Sequence, residues 1–123
     1  VATFTGGCHC GAVCFEVDGS LDAVTLCNCS ICSAKGYLHW IVPRGQFRLL
    51  AGGDALSTYR FGTGVAQHHF CRTCGISSFY VPRSHPDGID VNVRCLAGVD
   101  VETLPVRRFD GRHWEASIDS LKT

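Results

Sequence analysis

His68-His69-Phe70-Cys71-Arg72-Thr73-Cys74-Gly75-Ile76-Ser77-Ser78-Phe79-Tyr80-Val81 is the stretch that decides the fold. Its ends, 68–71 and 77–81, are short runs rich in aromatic and β-branched residues, and between them stands a Cys-x-x-Cys-Gly turn. That pattern predicts a hairpin with a metal-binding tip. Two thiolates separated by two residues can face one ion, and the glycine permits the turn that brings amide N–H groups toward sulfur. Zinc takes four ligands, so a second pair must come from elsewhere in the chain. Cys8 and Cys10, set among Gly6, Gly7 and Gly11, are the obvious donors. A site of Cys8, Cys10, Cys71 and Cys74 would staple the N-terminus to the middle of the chain.

The rest of the chain reads as further short strands. Segments 13–17, 38–42, 47–50, 56–61 and 89–93 are each bounded by Gly, Pro or Asp. Segments 47–50 and 56–61 read as a pair joined through Gly52-Gly53-Asp54. Helical pattern is confined to about 30–35 and 114–120, so strands do not alternate with long helices. The expected fold is mainly β, a single domain over 1–123 built of small antiparallel sheets and stapled by a structural zinc.

Composition narrows the function. The 123 residues carry 11 basic and 11 acidic side chains, and this balance argues against a nucleic-acid partner. No apolar run approaches the roughly 20 residues of a membrane span, and the first residues lack the build of a signal peptide. The nine cysteines are odd in number and closely spaced, unlike a secreted disulfide scaffold. Metal-bound thiolates in a reducing cytoplasm are the expected state.

Cys27-Asn28-Cys29-Ser30-Ile31-Cys32 differs from the other clusters. Three thiolates from one six-residue turn cover one hemisphere of a tetrahedral ion. A fourth protein ligand, such as Cys95 or a histidine, would make a second structural site. An open fourth position would make a catalytic one. Three thiolates make an electron-rich, soft centre that suits a thiol better than water. The chemistry expected of Cys27, Cys29 and Cys32 is therefore thiol activation, with the thiolate attacking a small electrophile such as an aldehyde. Zinc deaminases are set aside because His-x-Glu is absent. A thioredoxin-type pair lacks its βαβ setting, and the spacings match no ferredoxin.

The remaining candidates are individual residues. Cys14 reads as core, and Cys95 as either core or a neighbour of metal. His9 and Asn28 lie between ligands and read as outer contacts of the metal sites or as solvent-facing. His68 and His69 alternate on a strand, so one of them faces inward. Trp40 and Phe79 read as core, and Trp114 with the segment after it as a closing flap. Arg83, His85 and Arg94 are candidates for holding a carboxylate-bearing substrate, since arginine pairs bidentately with carboxylates.

Taken together, Gly7-Cys8-His9-Cys10-Gly11, Cys27-Asn28-Cys29-Ser30-Ile31-Cys32, Phe70-Cys71-Arg72-Thr73-Cys74-Gly75 and Pro82-Arg83-Ser84-His85-Pro86-Asp87-Gly88 resemble the glutathione-dependent formaldehyde-activating enzyme family, which includes the centromere protein V domain. The resemblance covers nearly the whole chain. It implies a β-tent fold with two zinc ions, a structural one on Cys8, Cys10, Cys71 and Cys74 and a catalytic one on Cys27, Cys29 and Cys32. It also implies the joining of glutathione and formaldehyde, in reverse a carbon–sulfur lyase reaction. The partners it implies are a small thiol and an aldehyde. The alternative is a non-catalytic zinc-stabilised binding module of the same fold.

Overall fold

The computed structural model describes residues 2–118. Among the described residues, ten strands form three small sheets. The first sheet orders β1 (Ala2–Gly7), β2 (Cys14–Gly19) and β5 (Phe47–Ala51). The second runs β10 (Val106–Phe109), β3 (Val24–Cys27), β4 (Leu38–Pro43), β9 (Gly88–Asn92) and β8 (Phe79–Tyr80). The third is the pair β6 (Leu56–Tyr59) and β7 (His68–Cys71). Two short helices complete the framework, α1 (Ser30–Lys35) and α2 (Trp114–Ser117). The mainly β architecture expected from the sequence is the one found. Residues 119–120 of the expected C-terminal helical piece lie outside the described residues.

Alternation explains the first sheet. In β2, Phe15 and Val17 are buried while Cys14, Glu16 and Asp18 are less so, the period of two that a half-buried strand requires. Every residue of β9 is buried, because it runs between β4 and β8 near the middle of its sheet. The first two sheets meet in one core. Phe15, Phe47 and Phe79 form a triangle with ring centroids 5.0, 6.0 and 4.7 Å apart, within the range of favourable aromatic pairs. Trp40 is half-buried and meets Phe4 edge-on at 5.5 Å.

Several expected pairings differ. The arms flanking Cys71-Arg72-Thr73-Cys74 belong to different sheets, β7 pairing with β6 and β8 with β9. The turn itself remains, with Cys71 N–H donating to Ile76 O at 3.0 Å, and a bridge joins Gln67 to Val81. Segments 47–50 and 56–61 do not pair with each other, because β5 is taken by β2 and β6 by β7. Strands β1, β3 and β10 carry no clear alternation and add to the expected set. The β10–β3 pair is parallel, so the sheets are not wholly antiparallel. No helix among the described residues is long and apolar enough to cross a membrane.

Gly7 has no room for a side chain. A Cβ on Gly7 would lie 2.1 Å from Val13 O, a backbone atom that cannot swing aside. Gly7→Ala is expected to cost about 1–3 kcal/mol through overpacking, seen as a Tm lower by roughly 5–15 °C. An unchanged Tm would show that the β1–β2 loop is more yielding than its geometry indicates.

Candidate metal centre

The loop after β1 is tight. Cys8 N–H donates to Val13 O at 3.0 Å and Gly11 N–H to Cys8 O at 3.3 Å, with Gly11 at φ +84°. Cys8 and Cys10 thereby meet the turn that ends β7. There Gly75, at φ +79°, donates to Cys71 O at 2.7 Å. Arg72 braces the turn from outside, its amide donating to Ala55 O at 2.9 Å and its guanidinium to Asp54 O at 2.6 Å.

The sulfurs of Cys8, Cys10, Cys71 and Cys74 all lie within 4.8 Å of one another. The Cys8–Cys10 and Cys10–Cys71 Sγ pairs are 3.6 Å apart. That is too long for a disulfide. It is close to the ~3.8 Å edge of a tetrahedron with Zn–S bonds of ~2.3 Å. Amides also converge on the sulfurs. Val13 N–H donates to Cys8 Sγ at 3.3 Å. Backbone N–H groups of Cys10 and Ile76 lower the Cys74 thiol to about 6, and those of Cys74 and Thr73 lower Cys71. Donors aimed at sulfur favour the thiolate, the form that binds metal. The donor set fits a closed four-thiolate site.

The second cluster is built on α1. Cys27 ends β3, and Cys29 caps the helix N-terminus with its sulfur accepting from Cys32 N–H at 3.4 Å. Gly36 closes the helix in the left-handed region at φ +66°. The Cys27, Cys29 and Cys32 sulfurs also lie within 4.8 Å of one another, and among the described residues no His, Cys, Asp or Glu completes them to four. Hydrogen bonds from the Cys27 and Cys32 thiols, joined by the Cys32 and Ile31 amides, pull Cys29 down to about 2. Bonding to Cys27 and Cys29, then burial, pushes Cys32 well up. The thiols of the trio therefore shift in opposite directions, Cys29 toward the thiolate and Cys32 toward the thiol.

The trio opens onto a cavity of about 430 Å³. His39, His68, Tyr80 and Asp90 line it, with Phe61 and Thr63 on the 61–63 loop and Arg83, Arg112 and Trp114. The Arg83 guanidinium lies 3.7 Å over the Trp114 ring. Asn28 ties the trio loop to the segment after β10. Its Nδ2 donates to Asp110 Oδ1 at 2.9 Å, its Oδ1 accepts Arg112 N–H at 3.0 Å, and its carbonyl accepts Arg112 Nε–H at 3.0 Å. A Cβ on Gly111 would sit 2.4 Å from Cys27 Sγ, so this backbone is pressed against the thiol.

The single candidates divide. Of the three residues expected to hold a carboxylate, Arg83 alone lines this cavity. His85 lines a separate hollow with Asp87 and Arg107, its Nδ1 paired with Ser84 Oγ at 2.8 Å. Arg94 instead donates to Gly36 O at 3.1 Å, behind α1. Cys95 is no ligand of the trio. Burial, then the charges of Cys8 and Cys74, raises it to about 11, which places it beside the four-thiol cluster. Cys14 is half-buried rather than core, its thiol donating to Gly11 O. His9 is exposed. His39, Asp90, Tyr80, Gly111 and Arg112 were not expected. Their roles arise from long-range pairing, and no local motif marks them.

His68 is the inward-facing histidine of its pair. Burial first, then the neighbouring Lys35 charge, lowers it to about 4. Lys35 Nζ donates to its Nδ1 at 3.2 Å, so the ring is neutral in the fold. As pH falls below the ordinary value of 6.5, the unfolded chain takes up this proton before the folded one does. Stability is therefore full above about 6.5 and falls until about 4. His68→Phe, which keeps the stack on Tyr80, is expected to flatten this part of the urea-denaturation pH profile. An unchanged slope would assign the pH dependence elsewhere.

Comparison with known proteins agrees with this geometry. A crystal structure of a Rhodobacter sphaeroides protein superposes with a TM-score of 0.76 at 37% identity, covering 84% of this chain and 99% of that one. The family model described as glutathione-dependent formaldehyde-activating enzyme matches residues 3–108. With the match spanning both cysteine clusters and all strand residues but Ala2 and Phe109, the chain belongs to the glutathione-dependent formaldehyde-activating enzyme family.

Proposed function

We propose that this protein joins a small thiol, glutathione, to formaldehyde or a related electrophile, and in reverse acts as a carbon–sulfur lyase. The observation that carries this reading is the Cys27/Cys29/Cys32 trio, which has no fourth protein ligand among the described residues and opens onto a cavity. In this reading Cys8, Cys10, Cys71 and Cys74 hold a structural zinc, and the trio holds a catalytic one. Zinc on three thiolates supplies a soft centre whose remaining position suits a thiol and lowers its pKa.

The chain's own residues do the rest. Arg83 and Arg112 stand on the cavity lining, where guanidinium groups can hold the carboxylates that glutathione carries. Arg83 is kept in place by the Trp114 face. Phe61 and Trp114 provide apolar lining that keeps bulk water from the electrophile. Arg83, His85 and Arg94 are the carboxylate candidates from the sequence; Arg83, with Arg112, is favoured in this reading because it lines the cavity. All nine cysteines are unbridged, which suits a reducing cytoplasm. A binding module with no chemistry would be better served by a trio closed with a fourth side chain.

Cobalt-substituted protein is expected to change its visible absorption when glutathione is added, and Cys29→Ser to abolish the change. Absence of any spectral response to glutathione would remove the thiol-binding reading.

A further inference from the structure

His39 and Asp90 form a buried pair on the wall of the trio's cavity. They lie on neighbouring strands, β4 and β9, with side chains 6% and 1% exposed. His39 Nδ1 is 2.7 Å from Asp90 Oδ2. A carboxylate only accepts, so Nδ1 carries the hydrogen and donates it. The neutral ring then has its lone pair on Nε2. Nε2 is buried and has no protein partner among the described residues. Asp90 Oδ1 is likewise buried without a partner; buried polar atoms are almost always paired, so an unpaired base on a residue that lines the cavity calls for a partner.

The surroundings hold the ring in this orientation. Tyr37 packs at 4.6 Å and Tyr80 edge-on at 5.9 Å. The Tyr37 hydroxyl donates to the Asp90 carbonyl, and the Tyr80 hydroxyl lies 3.4 Å from Nδ1. Beyond the tyrosines stand Lys35, 5.0 Å from the Tyr80 ring centroid, and His68, stacked on Tyr80 at 4.9 Å. From β3, Thr25 is its partner in register. Arg107, from β10, and His85 share the second hollow that His39 also lines. Asp90 is the acidic group bonded to the ring, and Lys35, His68, His85 and Arg107 are the cationic or titratable groups around it.

We propose that His39 is the proton carrier of the site, oriented by Asp90. The inference rests on the thiol–aldehyde reading given above. The thiol S–H proton passes to Nε2, and the thiolate so formed makes the S–C bond. The carbonyl π pair moves to oxygen, and that oxygen takes the proton from Nε2. The ring ends as it began, and nothing else is consumed. The reverse sequence serves the lyase direction. An Asp–His pair of this geometry provides both a fixed tautomer and a stabilised imidazolium.

The test pairs kinetics with nitrogen NMR on zinc-loaded protein. His39→Asn retains a donor where Nδ1–H stood and deletes Nε2. Its glutathione–formaldehyde rate above background should fall about 100-fold or more. Zinc content should hold, and the acid limb of the wild-type pH–kcat profile should disappear. In wild type, the ¹⁵N spectrum should show Nε2 unprotonated at neutral pH and shifted by glutathione or 2-mercaptoethanol. A variant with wild-type rate and pH profile would overturn the proposal. So would an Nε2 that carries the hydrogen, or one that responds to neither thiol. Wild type with no rate above background would sink the enzyme reading instead, and the NMR response would still decide whether His39 meets the thiol.

Discussion

Cys10→Ser and Cys71→Ser are each expected to lose the cooperative fold. Structural zinc in small domains contributes on the order of 10–16 kcal/mol of apparent binding free energy, as much as the whole stability of a typical domain, about 5–15 kcal/mol. The four-thiol cluster joins the loop after β1 to the end of β7, and β7 touches the rest of the fold mainly through β6 and β8. The two substitutions separate metal loss from core damage. Cys71 is 0% exposed, so a serine there also buries a hydroxyl, which alone costs about 1–3 kcal/mol. Cys10 is exposed and carries no such penalty. If zinc is what holds this region, both variants lose near-UV circular dichroism and a sharp unfolding transition. If Cys10→Ser unfolds with the wild-type midpoint while Cys71→Ser does not, packing rather than metal stabilises the knuckle.

Cys29→Ser is expected to do the opposite: keep the fold and lose the activity. Cys29 is the N-cap of α1, and serine is among the best residues at that position. The helix should therefore survive, with Tm within a few degrees of wild type. One zinc per chain should be lost and the other kept, as read by metal analysis. The catalysed rate should fall more than about 100-fold, beyond the 10–100-fold typical of losing a residue that only supports a ligand. Retention of both ions and of the rate would show that the trio is not the working centre.

The cysteine clusters that could hold metal were legible because each half-site is local. Cys8 and Cys10, Cys27 through Cys32, and Cys71 and Cys74 declare themselves by spacing within one turn. The strands at 13–17, 38–42 and 89–93 were legible for the same reason, since alternation or unbroken burial is written within five residues. Pairing was not. Nothing local in Phe47–Ala51 says that β2, rather than β6, will take its edge. β10 shows three exposed residues before Phe109, a pattern with no buried face to announce it. His39 sits within the strand 38–42, and the sequence assigns it no role. Its meaning depends on Asp90, brought opposite Ile41 on the neighbouring strand, and neither residue carries a motif. Gly111 was one glycine among 14, distinguished only by the sulfur it presses against.

The parallel addition of β10 beside β3 sets an order of events during synthesis. The knuckle thiols are complete once Cys74 has been made, so the four-thiol cluster can take metal early. The trio is made earlier still, and the Asp110–Arg112 segment that clasps Asn28 and abuts Cys27 is complete only roughly 80 residues after Cys32. At the usual ribosomal pace of about 5–20 residues per second, that interval lasts about 4–16 s. For those seconds the nascent chain presents three bare thiols without their clasp. Oxidants and competing soft metals have their best access to the trio then, before the protein has finished being born.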